Sequence, residues 1–353
     1  MKRPQPKEVQ KFFGRLIAYV VICVAIIASS ILIKEFAAIK ERMYTNDSFA
    51  DFPANYVPPG FNSSRYNILL DQHSHTIASD GAFTPEQNII WHIKHGFNAT
   101  FITDHGRNDY AIEAQRIARE KYPGFIVLVG EEWSNDRVHL NLLDIAQPVL
   151  PSFFTGESDA AIQSVINFTH DQGGLVVLNH LPWSGINSTF RDQLISWGVD
   201  YIEVVNENVL DNESWAYCNS TTEPNKIGVI TGTDVHSPTA VHSWTTIWTP
   251  EFSEDAIMAQ LHAKNTSFIY NYAGSPDYTL PPVDNPVYSI VAPIMYFGQA
   301  FEDIYQGGTL TLIMGLSYLF SGFFIAEVLR VVKRRYWEFI NTKKGTVKDT
   351  AKP

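Results

Sequence analysis

Two histidines that follow a short apolar run are the first sign of chemistry in this chain. Residues 66–70 predict a buried strand, and His73 and His75 lie just past its end. Because side chains two residues apart on an extended backbone point to the same side, both imidazoles can reach one metal ion. Asp80 follows in a Ser-Asp-Gly turn, where it can reach a neighbouring ion. A lone His-x-His motif is weak evidence, so this interpretation needs further ligands at comparable places.

Further apolar runs in the sequence supply more candidate ligands. The runs at residues 99–103, 124–129, 174–178 and 226–232 each end close to a histidine or carboxylate, and the run at 138–143 carries a histidine near its start. These side chains are, in chain order, His105, Glu131, Glu132, His139, His180, Asp234 and His236. In parallel α/β folds, active sites are built at the carboxyl ends of the strands. The pattern therefore predicts one site at that edge.

Four motifs in this series resemble those of the PHP (polymerase and histidinol phosphatase) family of metal-dependent phosphoesterases. They lie, in order, at residues 71–81, 103–105, 179–180 and 232–236. The resemblance covers roughly residue 66 to the 270s and implies an α/β fold, a distorted (β/α)7 PHP-type barrel. One departure is Gln72, which stands where the family usually has leucine.

The resemblance also implies the metal ligands, since Glu131 and His139 stand where the family has a bridging glutamate and a further histidine. The first of three divalent ions would be held by His73, His75, Glu131 and Asp234, the second by Glu131, His139 and His180, and the third by Asp80, His105 and His236. Nine ligands are too many for one ion and fit three. Imidazole and carboxylate together suit Zn, Mn or Fe rather than Ca, which prefers oxygen ligands.

Such a cluster predicts hydrolysis of a phosphate ester by activated water, because divalent ions lower the pKa of bound water and neutralise phosphate charge. Arg107 and Arg137 are candidate catalytic residues that could clamp the phosphate bidentately, although both are equally well explained as solvated loop charges. Asp104 is expected to orient a ligand rather than to bind metal, and Glu132 to hydrogen-bond nearby backbone.

Composition limits the possible partners. A chain of 353 residues with 45% hydrophobic and 18% charged residues can bury one sizeable core. Its net charge of -11 argues against a nucleic-acid polymer held on a basic face, but bound cations would still admit a small phosphorylated substrate. The two cysteines imply no disulfide framework.

Two apolar runs, residues 16–33 and 309–329, predict transmembrane helices. Basic tails at 1–15 and 330–353 flank them on the terminal sides, so both termini are expected in the cytosol and residues 34–308 in a lumen or outside the cell. The alternative for the first run is a cleaved signal peptide, although its basic region is long for one. A C-terminal lipid-anchor signal is not expected, because charged residues follow the apolar run.

Glycosylation sequons agree with this topology, because all eight lie between the two runs. They begin at Asn46, Asn62, Asn98, Asn167, Asn187, Asn212, Asn219 and Asn265. We therefore expect an integral membrane glycoprotein of the secretory pathway or cell surface.

Between the runs, a connector at 34–64 is expected to lead into a PHP-like domain at 65–275. A second connector at 276–308 contains an apolar segment that could lie on the membrane or beneath the barrel. Within the domain, predicted helices at 85–95, 110–120, 159–172 and 255–262 alternate with about seven strands, which indicates a mainly parallel sheet.

These observations predict a membrane-anchored phosphoesterase. Its substrate would be a phosphorylated small molecule, lipid or glycan, with the bilayer as partner and no nucleic-acid polymer. Two alternatives remain open. The barrel could bind metal without turnover and serve as a receptor or scaffold, or it could be an amidohydrolase, because activated water also attacks carbonyl groups.

Overall fold

The computed structural model describes residues 6–38, 44–50, 56–222, 226–276 and 309–349, together with residue 280 and a few positions between 290 and 301. The predicted connector at 34–64 is therefore described in part. The apolar segment within 276–308 lies mostly outside the described residues.

Ten strands belong to one mixed sheet. They are β1 Ile68–Asp71, β2 Ala99–Ile102, β3 Ile126–Ser134, β4 His139–Leu143, β5 Leu175–Leu178, β6 Tyr201–Asn206, β7 Val209–Leu210, β8 Gly228–Gly232, β9 Ser243–Ile247 and β10 Ser267–Tyr270. The sheet order is β10-β9-β1-β2-β3-β4-β5-β6-β7, and β8 also pairs with β6. The backbone N–H of Thr231 in β8 donates to Thr245 Oγ1 in β9 at 2.9 Å, which brings the two ends of the sheet together. The sheet is therefore a nearly closed barrel, as predicted.

Helices cover the barrel and extend beyond it. They are α1 Pro6–Ala38, α2 Pro85–Lys94, α3 Asp109–Lys121, α4 Ser152–Thr155, α5 Asp159–Asp171, α6 Leu181–Ser184, α7 Ser188–Trp197, α8 Asn212–Ser220, α9 Glu254–His262 and α10 Thr309–Asp349. The four helices predicted within the domain are all present. A Thr84 capping box with proline at the first helical position starts α2, directly after the loop that carries Asp80.

The sheet is mixed rather than mainly parallel, which differs from the prediction, because five of its nine described strand pairs are antiparallel. The β1–β2, β2–β3, β5–β6 and β6–β8 pairs are parallel, whereas β4 is antiparallel to both of its neighbours. Only four residues connect β3 to β4, with Ser134 opposite His139, and so short a connection permits a hairpin but no crossover helix. The amino end of β4 therefore meets the carboxyl ends of the parallel strands.

Alternating side chains divide the core into layers. One apolar cluster contains residues of eight strands, β1 to β6, β8 and β9, and includes Ile68, Leu70 and Phe101. Leu69, between the first two, packs instead in a second cluster with Ile89 and Trp91 of α2. Because strand side chains alternate, residues of β1 with even numbers face the barrel interior. The same parity places Gln72, just after β1, inside the barrel.

Two long helices pack against each other in antiparallel fashion. Arg15 of α1 donates two hydrogen bonds to Glu327 of α10, at 2.6 and 2.9 Å, and the Tyr19 hydroxyl donates to the Leu319 carbonyl at 2.8 Å. Segments Lys7–Ile33 and Leu312–Asn341 are long and apolar enough to cross a membrane, and only 6% and 11% of their most apolar windows are buried.

Candidate metal centre

One carboxylate joins the first and fourth motifs. Asp71 Oδ1 accepts hydrogen bonds from the backbone N–H groups of His73 at 3.2 Å and Thr233 at 3.0 Å. Asp71 Oδ2 accepts from the Thr233 hydroxyl and lies 2.9 Å from His92 Nε2. These contacts hold the loop after β1 against the loop after β8. The histidine pair and Asp234 are thereby brought to the same end of the barrel.

Three groups of side chains there have ligand atoms close enough to share an ion. In the first, His73 Nε2 lies 3.2 Å from Glu132 Oε2 and 3.3 Å from Asp234 Oδ1, and His75 Nε2 lies 3.2 Å from each of the same oxygens. These four side chains are almost completely enclosed, with only Asp234 exposed to 14%.

The second group is formed around Glu132 Oε1, which lies 3.0 Å from His139 Nδ1 and 3.2 Å from His180 Nε2. Because Glu132 offers one oxygen to each of the first two groups, it occupies a bridging position.

The third group is the most open to solvent. Asp80 Oδ2 lies 3.2 Å from His236 Nε2 and 3.6 Å from His105 Nε2, and Asp80 Oδ1 lies 3.6 Å from His75 Nδ1. The side chains of His236 and Asp80 are 38% and 30% exposed. His75 therefore belongs to two groups, with one ring nitrogen facing each.

The structure places Glu132, not Glu131, between the first two groups, which differs from the sequence prediction. Glu132 was expected to hydrogen-bond nearby backbone, whereas its carboxylate contacts imidazoles. Adjacent strand side chains point to opposite faces, and Glu131 points out of the barrel, where its Oε2 accepts from the Val149 N–H at 2.7 Å. The hairpin register could have revealed this. Ser134 lies opposite His139, so Glu132 shares a face with His139 and Glu131 does not.

The other eight predicted ligands all lie in the three groups: His73, His75, Asp80, His105, His139, His180, Asp234 and His236. Two of them have strained backbones, since φ is 28° at His180 and 52° at Asp234. Positive φ is uncommon for residues other than glycine and concentrates at functional sites.

A buried polar network that the sequence did not reveal supports these ligands. Glu203 Oε1 lies 3.0 Å from His73 Nδ1 and accepts from Gln72 Nε2 at 2.7 Å, while its Oε2 accepts from the His180 N–H at 2.7 Å. Glu203 thus fixes the ring that carries one ligand atom and the backbone that carries another. Its place within a continuous apolar run gave no sign of this role. Gly232 leaves room for it, because a Cβ there would lie against Glu203 Oε1.

The network continues to the bridging carboxylate. Asn141 Nδ2 donates to Gln72 Oε1 at 2.9 Å, and Asn179 Nδ2 donates to Asn141 Oδ1 at 2.8 Å and to Glu132 Oε1 at 3.1 Å. All of these residues are at most 1% exposed. Gln72, the departure from the family pattern, is therefore a member of a closed set of hydrogen bonds.

Asp104 supports the loop that carries Asp80. Its carboxylate accepts from the backbone and hydroxyl of Thr76, both at 2.7 Å, and from the Ser79 hydroxyl at 2.8 Å. This agrees with the orienting role expected from the sequence. Of the histidines outside the motifs, His92 contacts Asp71 and His170 contacts Asp200, and neither belongs to the three groups.

Electrostatic coupling holds the cluster together. Burial lowers the pKa of His73, but the carboxylates of Asp234, Glu132 and Glu203 outweigh it and raise the pKa well above its usual value. Burial likewise opposes the charged form of Glu132, yet the surrounding imidazoles hold its pKa well below the usual range. The site therefore combines ionised carboxylates with imidazoles whose protonated form is stabilised.

Two buried atoms show that the donor set fits a divalent ion. Asp234 Oδ1 and His75 Nε2 have no hydrogen-bond partner of acceptable geometry among the described residues, although both are fully enclosed and face each other. Buried polar atoms are rarely left unsatisfied, and a cation between them would satisfy both. The mixture of imidazole and carboxylate suits Zn, Mn or Fe.

Both candidate arginines contact their own chain. Arg107 donates to the Asp109 carboxylate at 2.7 and 2.8 Å and to the Ala78 carbonyl at 3.3 Å. Arg137 lies 2.7 Å from the Asp159 carboxylate, and its guanidinium stacks over a phenyl ring. None of these contacts brings a guanidinium to the ligand atoms of the three groups, so a catalytic role for either arginine stays a prediction.

No family model matches the chain, but two curated relatives share part of its sequence. The chain is 32% identical over 108 residues to the 5'-3' exoribonuclease Rnm of Salmonella typhimurium and 29% identical over 107 residues to that of Escherichia coli. Each match covers 28% of this chain and 36% of the relative, so the chain spans about a third of these proteins' length.

A solved structure matches more of the chain. It is a two-domain protein of Bacteroides vulgatus that contains a predicted PHP-like metal-dependent phosphoesterase, with a TM-score of 0.50 and 18% identity over 62% of this chain and 68% of that one. The fold is therefore that of a PHP-like barrel. At this level of identity the likeness is one of fold.

Proposed function

We propose that this chain is a metal-dependent phosphoesterase. The observation that carries the proposal is the position of Glu132, whose two oxygens face two different groups of histidines. A carboxylate shared in this way suits ions a few ångströms apart, as in sites that hold both the attacking and leaving oxygens of a displacement. The third group, joined through His75, would complete a trinuclear centre of Zn, Mn or Fe.

Ions bound in the three groups would supply Lewis acidity and activated water near neutral pH. The protein residues have separate tasks. Glu203 holds the His73 ring so that Nε2 faces the centre, and Asp71 fixes the loop that carries Asp234. The enclosed side of the centre excludes solvent. The open side, at Asp80, His139 and His236, is where a phosphate ester would enter.

Arg107 remains a proposed phosphate contact. Its guanidinium bonds the Ala78 carbonyl, two residues before Asp80 on the open side, and is held by the exposed carboxylate of Asp109. Exposed ion pairs are weak, about 0–1 kcal/mol. Arg107 could therefore leave the Asp109 carboxylate and bind a substrate phosphate at little cost in free energy. Arg137 is a second, more exposed candidate.

The packed helices support a membrane anchor with the barrel on the luminal or extracellular side. Their apolar side chains are largely uncovered, unlike those of a soluble protein's core helix. The Arg15–Glu327 contact joins the two proposed spans at the ends that lie toward the basic tails, which suits a retained hairpin rather than a cleaved leader. The basic flanks favour cytosolic termini. We accordingly propose a basic tail at each end, spans near 16–33 and 309–329, and the catalytic domain at 65–275.

The exoribonuclease relatives suggest a second substrate class, RNA, and bear against the expectation that no nucleic-acid polymer is bound. Nucleic-acid affinity comes chiefly from lysine and arginine contacts to phosphates. The chain's net charge of -11 favours a small ester instead.

The test uses the full chain in a nonionic detergent, loaded separately with Zn, Mn or Fe(II). Bound metal is measured by mass spectrometry, and hydrolysis is assayed with an aryl phosphate monoester, an aryl phosphate diester, a 5'-labelled RNA oligonucleotide and an aryl amide. His73→Ala and Asp234→Ala remove ligands, and His170→Ala, outside the centre, is the matched control. Chelator-sensitive ester hydrolysis that is lost only in the ligand variants is expected.

Other outcomes decide among the alternatives. Cleavage of RNA alone would identify a nuclease, and cleavage of the amide alone an amidohydrolase. Bound metal without hydrolysis of any substrate would favour the receptor or scaffold. A folded protein that retains no metal after loading would overturn the proposal.

A further inference from the structure

A cavity of about 210 Å³ opens beside the third ligand group. Asp234 and His236 form part of its wall, so it is continuous with the open side of the centre. A water molecule occupies about 30 Å³ of liquid volume, and the cavity can therefore hold an organic group of several non-hydrogen atoms. An ester whose phosphate reaches the ligand groups would place one substituent here.

The rest of the wall mixes polar and apolar groups and contains neither lysine nor arginine among the described residues. Asn208, Ser237 and Thr239 offer neutral hydrogen-bonding groups, His242 offers an imidazole, and Glu207 offers the one carboxylate beyond the ligand loop. Sites that recognise anionic groups use arginine, lysine or helix amino ends, and the described wall has neither arginine nor lysine.

The turn that carries Glu207 is held in place. Glu207 and Asn208 connect β6 to β7 as a two-residue hairpin turn, with Asn206 opposite Val209. The Tyr270 hydroxyl donates to the Asn208 carbonyl at 3.0 Å, and Asn206 Nδ2 donates to Asp234 Oδ2 at 3.2 Å. The φ of Glu207 is 49°, a conformation that glycine or asparagine adopts more readily. A carboxylate therefore occupies this turn at some cost in backbone strain.

We propose that this cavity binds the alcohol portion of the ester, and that Glu207 selects alcohols that are uncharged or bear an ammonium group over anionic ones. The proposal rests on the proposed phosphoesterase function and narrows its substrates to phosphate esters of polyhydroxyl or amino alcohols. Hydrolysis adds water across the P–O bond, so that phosphate leaves with the hydroxyl and the alcohol regains a proton. No further reactant is needed.

The test compares three esters of similar size: phosphoethanolamine, 2-hydroxyethyl phosphate and phosphoglycolate, whose alcohols are cationic, neutral and anionic. The full metal-loaded chain in nonionic detergent is assayed for phosphate release at low ionic strength. Because Glu207 is exposed, each step in charge is expected to change kcat/KM by about two- to five-fold, in the order ammonium, neutral, carboxylate. Glu207→Gln should bring the three esters within about two-fold of one another, and Glu207→Lys should reverse the order.

Glu251→Gln, at an exposed carboxylate outside the cavity wall, is the matched control and should keep the wild-type order. A second readout does not depend on turnover: saturation-transfer NMR of the metal-free chain with ethanolamine, ethylene glycol or glycolate should show the same order and the same loss in Glu207→Gln. Chelator-sensitive hydrolysis without charge preference, or with one that Glu207 variants leave unchanged, would overturn this proposal and leave the phosphoesterase intact. If neither these three esters nor aryl phosphates are hydrolysed, both this proposal and the proposed phosphoesterase function are overturned.

Discussion

Replacing Gln72 with leucine, the residue that the PHP family usually has there, tests the buried network directly. The substitution removes the 2.7 Å bond from Gln72 Nε2 to Glu203 Oε1 and the 2.9 Å bond from Asn141 Nδ2 to Gln72 Oε1. Asn141 keeps a 3.1 Å bond to the Gln72 main-chain carbonyl, and Glu203 keeps its contact with His73. Neither partner is left fully unsatisfied, so we expect a loss of about 1–3 kcal/mol in the free energy of unfolding.

The same substitution should weaken metal binding. Glu203 sets the orientation of His73, and loss of an outer hydrogen bond to a metal ligand typically costs about 10–100-fold in affinity. Because His73 keeps its direct contact with Glu203, we expect the lower end of that range, about ten-fold. Affinity is measured by competition with a coloured chelator, and stability by urea titration of the full chain followed by tryptophan fluorescence.

Gln87→Leu is the matched control. Gln87 is also fully buried and donates to the Tyr44 carbonyl at 2.7 Å, but it lies outside the network. This variant should lose comparable stability and keep wild-type metal affinity. The reasoning would be refuted if Gln72→Leu left metal affinity unchanged, or if Gln87→Leu weakened it equally.

Three further predictions concern other parts of the molecule. Burial raises the pKa of Glu131 to about 8 from an ordinary 4.5, so between these pH values the folded chain holds a proton that the unfolded chain releases. Roughly 4–5 kcal/mol of the free energy of unfolding that is present below pH 4.5 should therefore be lost as the pH rises to 8. Urea titrations should show that Glu131→Gln abolishes this loss. The Arg15–Glu327 pair should show a coupling free energy of about 1 kcal/mol in a double-mutant cycle to alanine, and a value near zero would argue against a paired hairpin. Both side-chain amide atoms of Asn98 are hydrogen-bonded at 2.7–2.8 Å, whereas Asn62 is exposed. Peptide mass spectrometry after deglycosylation should therefore find Asn62 modified and Asn98 unmodified, and an unmodified Asn62 would argue against the luminal placement.

The sequence predicts the barrel well where a strand is short, apolar and buried on both faces. Such runs make up β1, β2, β5 and β6, in which every residue is buried. The strand β9 was missed for two reasons: Thr245 and Thr246 are polar, and β1, with which β9 forms an antiparallel pair, is remote in sequence. Local pattern alone does not reveal such a pairing.

The ligand set shows the same limit. Histidines at strand ends are visible in sequence because their type and spacing are unusual. The choice between Glu131 and Glu132 depends on strand parity, which is set by the β3–β4 register rather than by either residue's neighbours. Glu203 and Asn141 escaped notice because a single polar residue within a buried strand shows its role only when its partners across the barrel are known.

The two adjacent glutamates also give the most direct test of the metal centre. Glu131→Gln and Glu132→Gln are purified alongside the wild-type chain, loaded under identical conditions, and bound metal is counted by mass spectrometry. The three ligand groups predict about three equivalents for the wild type and for Glu131→Gln, and at most about one for Glu132→Gln, because Glu132 serves two of the groups. Loss of metal in Glu131→Gln with full retention in Glu132→Gln would contradict the centre described here.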